Sequence, residues 1–371
     1  MIRRMLVLAG LLVAELMAGC STALPDVPFT LGTAHRNLAY CNSQSLDLYI
    51  PRGAVTGPLP IAMYVHRGGM TADDKSDLSP VFLDALASAG YAVASVNYRL
   101  APGSRFPAQI EDVKCAIRYL RAKAPKYGLN ASEIFAFGTS VGGQLVTLAA
   151  LTGPRSPWDA GPYATEPSNL RAVADMFGPA NLTERASGFS PSGIQQVFGS
   201  GARRDLILAS PTHFVAANSP PILIVQGVNE TKVLESQSIE LYKDLKAAGD
   251  QTQLVLVRNM GHMFVQAGSK PINPSLRQIA HDVVSFFGEY RHGVRSGDPP
   301  GGWPALDLHR DGADLQRPPA QMTLVPGKPS RLVQIGPHPR ADLAPCVRLH
   351  PTVAARCLPW WLPGWLPTMI N

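Results

Sequence analysis

From Leu46 to Phe287 short apolar runs alternate with helix-patterned stretches, and this alternation restricts the fold more than any other property of the chain. The apolar runs are Leu46–Ile50, Ile61–Val65, Ala92–Asn97, Ile134–Phe137, Ala172–Phe177, Ile222–Gln226 and Gln253–Val257. Helical spacing is clearest at Phe82–Ala89, Ala108–Lys123, Gln144–Leu151, Glu235–Ala248 and Leu276–Phe287. Strands separated by helices in this way belong to a mostly parallel sheet covered on both faces, so the expected fold class is α/β. The length, 371 residues, would allow two domains, but α/β folds often use about 250 residues as one.

One junction in the alternation carries chemistry. Ile134-Phe135-Ala136-Phe137 runs into Gly138-Thr139-Ser140-Val141-Gly142-Gly143 and then into a stretch without glycine or proline. A serine on a sharp turn between strand and helix, in the pattern G-x-S-x-G, is the nucleophile elbow of serine hydrolases. The glycines are needed because the turn is strained and the helix packs close to the strand.

A serine hydroxyl is a poor nucleophile at neutral pH and needs a base, an acid to orient that base, and donors for the oxyanion. On an elbow of this kind the chain order is serine, acid, histidine. Downstream of Ser140, the run Ile222–Gln226 ends in Gly227-Val228-Asn229-Glu230, and Gln253–Val257 leads to Gly261-His262. Glu230 and His262 both follow the carboxyl ends of strands, where open α/β sheets place their chemistry. Upstream, Ile61–Val65 leads into His66-Arg67-Gly68-Gly69-Met70. A glycine-rich loop there supplies backbone amides to an oxyanion hole, joined by the amide of the residue after the nucleophile, Val141.

Together with Asn97-Tyr98-Arg99-Leu100-Ala101-Pro102, Phe106-Pro107-Ala108 and the acidic pair Glu111-Asp112, these segments resemble the α/β-hydrolase superfamily. The resemblance is to hormone-sensitive-lipase-like bacterial esterases and their feruloyl-esterase-like relatives, over about residues 30–292. It implies hydrolysis of small to medium carboxylic esters through an acyl-enzyme, with Ser140, Glu230 and His262 catalytic and Gly68, Gly69 and Val141 holding the oxyanion. It also gives His66 the role of supporting the oxyanion loop. Separately, no histidine pair has zincin spacing and no Cys-x-x-Cys occurs, so no metal is expected, and no cofactor either. The stretch 178–219 loosens into a Ser/Gly/Pro-bearing insertion that would form part of a cap and select the acyl group. Two positions depart from the family pattern. Arg67 replaces a glycine, which would strain the loop if φ there had to be positive. Glu230 stands where aspartate is usual, and its extra methylene demands a different loop. Two other readings stay open: an amide hydrolase or peptidase of the same fold, and a degenerate binding lipoprotein without activity.

The first residues, Met1-Ile2-Arg3-Arg4 followed by an apolar run and Leu16-Met17-Ala18-Gly19-Cys20, have the charged, apolar and small-residue regions of an export signal. With cysteine directly after Ala-Gly they resemble a bacterial lipoprotein signal over residues 1–19. Cys20 would then become the lipidated first residue, followed by a tether over 20–29, and membrane attachment would run through that lipid. Of the other cysteines, Cys115 lies on the apolar face of a helix and reads as a buried free thiol, while Cys41 is left open. From Gly293 onward the character changes: fourteen of the 34 prolines and four of the five tryptophans fall in residues 293–371, which read as a disordered extension. Net charge is +6, with Lys+Arg 33 against Asp+Glu 27, and no basic block carries interleaved aromatics, which argues against nucleic-acid binding. The expected partner is a small-molecule ester.

Overall fold

The computed structural model describes residues 31–53, 57–199 and 202–291. Eight strands form one sheet: β1 (Leu31–Ala39), β2 (Ser45–Pro51), β3 (Leu59–Val65), β4 (Ala92–Val96), β5 (Leu129–Thr139), β6 (Val173–Met176), β7 (Ile222–Gly227) and β8 (Thr252–Val257). Their order is β1-β2-β4-β3-β5-β6-β7-β8. β2 runs antiparallel to both of its neighbours, and every pair from β4 onward is parallel. The helices are α1 (Pro80–Ser88), α2 (Ala108–Lys123), α3 (Val141–Thr152), α4 (Pro191–Phe198), α5 (Ala202–Leu208), α6 (Glu235–Ala247) and α7 (Leu276–Glu289).

The seven expected strands and five expected helices are all present. Two apolar layers flank the sheet. One face packs under α2, α3 and α6, through residues such as Ile117, Leu120, Leu145, Leu148, Leu241 and Leu245. The other packs under α1 and α7, through Phe82, Leu86, Ile279, Val283 and Phe287. Because each parallel strand is covered on both sides, β3, β4, β6 and β7 carry almost unbroken apolar side chains. Helix starts are fixed locally. Ser79 accepts the amide of Val81 ahead of α1, and Ser275 with Gln278 closes a reciprocal capping box on α7.

The expected 178–219 insertion contains α4, α5 and two short 3-10 turns, Arg185–Ser187 and Pro211–Phe214. The export signal over 1–19, Cys20, the tether over 20–29 and the extension over 293–371 lie outside the described residues.

The free-thiol expectation for Cys115 is corrected: Cys115 on α2 is disulfide-bonded to Cys41, with Cα atoms 6.3 Å apart and a sequence separation of 74. The bond ties the turn between β1 and β2 to the helix that covers the sheet. A closed loop of that length corresponds to about 4 kcal/mol of unfolded-state entropy in the chain-entropy account. Replacing both cysteines with alanine is therefore expected to lower urea-denaturation stability by about 2–4 kcal/mol. Wild-type protein under reducing conditions should show a similar loss, and equal midpoints for the oxidised and double-alanine forms would contradict this.

Candidate active site

The register of the sheet brings the expected residues to one edge. Val65 pairs with Gly138, so the loop His66–Met70 leaves β3 beside the turn that follows β5. Thr139 pairs with Met176, and Gly227 pairs with Val257, so the loops after β6, β7 and β8 emerge at the same end. A pocket of about 260 Å³ there is lined by Ser140, Val141, Gly68, Gly69, Arg67 and His262, among others.

Ser140 has φ 53° and ψ −126°, a conformation that costs a non-glycine residue about 1–3 kcal/mol. Its amide donates to Met176 O at 2.9 Å, which anchors the turn to the neighbouring strand. The surrounding glycines are required by contact. A Cβ at Gly138 would sit 2.3 Å from Gly142 C, and one at Gly142 would sit 2.1 Å from Val65 O. The elbow is thus pressed against the strand that launches the oxyanion loop.

Glu230 and His262 come together from separate loops. His262 Nδ1 donates to Glu230 Oε2 at 2.7 Å, which leaves Nε2 as the free ring nitrogen. The other carboxylate oxygen of Glu230 accepts the amide of Lys232 at 2.6 Å. Burial works against ionisation of Glu230 and is the largest single influence on it. The His262 hydrogen bond and the amides of Lys232 and Thr231 outweigh it and hold the carboxyl below its ordinary pKa. The longer acid therefore reaches the imidazole. Ser140 Oγ has no hydrogen-bond partner among the described residues, and in many unliganded enzymes that contact tightens only when substrate binds.

Gly68 and Gly69 have φ 104° and 61°, and a Cβ at Gly68 would lie 2.0 Å from Ala72 O, so glycine is obligatory there. No protein acceptor takes the amides of Gly68 or Gly69 among the described residues, and Val141 opens α3, where the first amides have no partner within the helix. Arg67 is not among the residues with positive φ, so the strain that its replacement of glycine would have caused is absent. His66 is buried, stacks on Tyr98 with ring centroids 4.2 Å apart, and has Nδ1 2.7 Å from Arg67 O. Burial pushes its pKa down to about 4, so near neutral pH it is an uncharged strut in the loop.

Two contributors were not legible as such in the sequence. Phe177, itself at φ 49°, packs its ring against His262 with centroids 5.2 Å apart and against Phe264 at 5.0 Å. It sets the face on which the imidazole lies. The 3-10 turn Arg185–Ser187 hooks the insertion to the acid loop, because Leu234 N donates to Ala186 O at 2.9 Å. Ser187, Gly188 and Phe189 thereby become one wall of the pocket. A signal for Phe177 existed in its place directly after a buried strand on the serine side, but nothing in the sequence tied the insertion to Leu234.

Asp175 lies under the elbow and outside the pocket lining. Its Oδ1 accepts Gly178 N at 2.8 Å, its Oδ2 accepts Thr147 Oγ1 at 3.2 Å, and a Cβ on Gly143 would sit 2.2 Å from Oδ1. Burial raises its pKa to about 7, against which those two hydrogen bonds pull only partly. The folded state thus holds a proton that the unfolded chain releases near pH 4. The stability this contributes is complete below that pH and is lost as pH rises through about 7. Asp175→Asn mimics the protonated form, so its melting temperature relative to wild type is expected to be higher at pH 8 than at pH 5. An equal difference at both pH values would contradict the assignment.

The strand order, the single antiparallel strand β2 and the strained turn after β5 define an α/β hydrolase. The chain belongs to the BD-FAE family, whose match covers residues 46–245 and so includes the oxyanion loop, the elbow and Glu230 but stops short of His262. Among curated proteins it is 26% identical over 246 residues to Esterase LipC of Mycobacterium tuberculosis, covering 64% of this chain and 61% of that protein. It is 29% identical over 215 residues to an ethyl acetate hydrolase of Pseudomonas putida, covering 56% and 66%. The chain thus spans less than two thirds of the length of either relative. Among solved structures, a truncated carbohydrate esterase from gut microbiota superposes with a TM-score of 0.61 at 28% identity, covering 71% of this chain and 98% of that one.

Proposed function

We propose that the chain is a serine carboxylesterase acting on small to medium acyl esters through an acyl-enzyme. The observation that carries this reading is the 2.7 Å Glu230–His262 hydrogen bond, which presents His262 to a pocket also lined by Ser140 and the amide-bearing Gly68, Gly69 and Val141. Ser140 Oγ attacks the ester carbonyl while His262 Nε2 takes its proton, and the carbonyl π electrons move onto the oxygen held by the three amides. Collapse of that intermediate expels the alcohol, which receives the proton from His262. Water then repeats the sequence on the acyl-enzyme, releasing the acid and restoring Ser140. Glu230 keeps the imidazole in the Nδ1–H tautomer and stabilises its charged form.

The pocket wall made by Pro179, Phe189, Val233 and Met263 is apolar and would receive the acyl chain, and a volume of about 260 Å³ fits short chains. The relatives' names, an ethyl acetate hydrolase among them, support ester rather than amide substrates. The test is turnover of a nitrophenyl ester series from acetate to octanoate beside the matching anilides. Hydrolysis of the short esters with no anilide cleavage is expected, and preferential anilide cleavage would overturn the ester assignment.

Export and attachment through a lipidated Cys20 belong to the same proposal. The Cys41–Cys115 disulfide supports it, since such bonds persist in oxidising compartments. Cys20→Ala is expected to move the protein from the membrane to the soluble fraction of bacterial cells expressing it. Unchanged membrane recovery would assign the anchor to another segment.

A further inference from the structure

A chain of polar contacts joins the oxyanion loop to the nucleophile strand. Arg67 Nη1 lies 2.5 Å from Asp77 Oδ1, and Arg67 Nε lies 3.3 Å from Asp73 Oδ2. The other oxygen of Asp77 accepts the Tyr64 hydroxyl at 2.8 Å. That same hydroxyl is 2.9 Å from Thr139 Oγ1. With its single hydrogen given to Asp77, Tyr64 accepts from Thr139, the residue directly before Ser140. The main chain of Arg67 is held as well, since its carbonyl accepts the Tyr98 hydroxyl at 3.0 Å.

We propose that Arg67 is a positioning residue for the oxyanion hole, which locks the amides of Gly68 and Gly69 in register with Ser140 through Asp77, Tyr64 and Thr139. This rests on the esterase reading given above. Three features point to Arg67 as a brace rather than a substrate contact. Its charge is matched by two carboxylates, Asp73 and Asp77, so the guanidinium is already paired where it lines the pocket. The Asp77 side chain is 12% exposed and that of Arg67 30%, so the pair is shielded more than a surface ion pair would be. The chain also ends on Thr139, whose main chain continues into the strained turn at Ser140. Where a glycine in the loop would leave the following amides to be oriented by backbone alone, the guanidinium fork fixes them from the side.

The experiment compares wild type, Arg67→Gln, Arg67→Gly, Tyr64→Phe and the Arg67→Gln/Tyr64→Phe double variant. Two substrates are used, nitrophenyl acetate and a nitrophenyl half-ester of a dicarboxylic acid. Arg67→Gln keeps the Cβ and stem while removing the charge, so it separates loss of the brace from the added backbone freedom of glycine. Both Arg67 variants are expected to lose about tenfold or more in kcat on both esters with KM within about twofold, because misplaced amides weaken only the transition state. The double variant should be no slower than the slower single variant, because both changes break one chain. Turnover by wild type with unchanged kinetics in the Arg67 variants would overturn the inference alone. So would multiplicative losses in the double variant, or a rise in KM confined to the acidic ester, which would make Arg67 a substrate contact. Absence of turnover in wild type would overturn the esterase reading and the inference with it.

Discussion

Replacing Ser140 or His262 with alanine is expected to lower kcat by on the order of 10⁴-fold or more while the fold stays intact. The two losses should not add, because nucleophile and base act as one unit. The fold should survive because Ser140 is held through its backbone. Its amide bonds to Met176 O and its carbonyl accepts Gln144 N at 3.1 Å, and alanine keeps both. The His262 side chain is 15% exposed and lies at the pocket edge, so its removal takes from the apolar layers only the ring contact with Phe177. Glu230 then retains the Lys232 amide as a partner. Circular dichroism and melting curves of both variants should overlay the wild type, and turnover of a short nitrophenyl ester should fall to the background of the oxyanion hole alone. Retained turnover in Ser140→Ala would remove the nucleophile from the account.

Glu230→Gln is the second large effect, on the order of 10⁴-fold in kcat. An amide cannot stabilise the imidazolium that forms when His262 takes the proton, and its NH₂ group can leave the ring in the wrong tautomer. KM should change little, since Glu230 is absent from the pocket lining. Glu230→Asp keeps the charge but withdraws the carboxylate by one methylene. With the present contact at 2.7 Å, that withdrawal misplaces the imidazole, and a loss of about 10²-fold is expected. Near-wild-type rates for Glu230→Gln would transfer the role to another carboxylate. Asp244 and Asp250 are poorly placed for it: Asp250 just precedes β8, at the opposite end of that strand from the His262 loop, where its Oδ1 accepts Ser219 N at 3.0 Å, and Asp244 lies in the last turn of α6 on the way there.

The parts of this fold that were legible in the sequence are those whose burial dictates their composition. β3, β4, β6 and β7 are covered on both faces and had to be apolar runs, and the elbow had to carry glycine where Gly138 and Gly142 touch main chain. β1 was missed for the converse reason. Leu31–Ala39 is an edge strand whose residues are mostly exposed, so water rather than a core set its composition and no apolar alternation marks it. The helices α4 and α5 are eight and seven residues long, too short for a helical period to stand out against a Ser/Gly/Pro-bearing background.

Pairings between distant segments were the least legible. The Cys41–Cys115 bond joins a turn to a helix across 74 residues, and cysteine spacing alone does not fix a partner. The Arg67 contacts depend on where a turn at Asp73–Asp77 folds back over Tyr64, which no local pattern encodes. By contrast Ser140, Glu230 and His262 could be picked out because each follows a strand end, and the topology of a parallel sheet brings strand ends together without reference to the side chains themselves.

The measurement that bears most directly on the central claim is mass spectrometry of the intact chain, and of its peptides, after reaction with a fluorophosphonate. The account predicts one adduct per chain, located on Ser140, forming at a rate that parallels ester turnover and abolished in Ser140→Ala. No adduct, or an adduct on another serine with Ser140 unmodified, would contradict it.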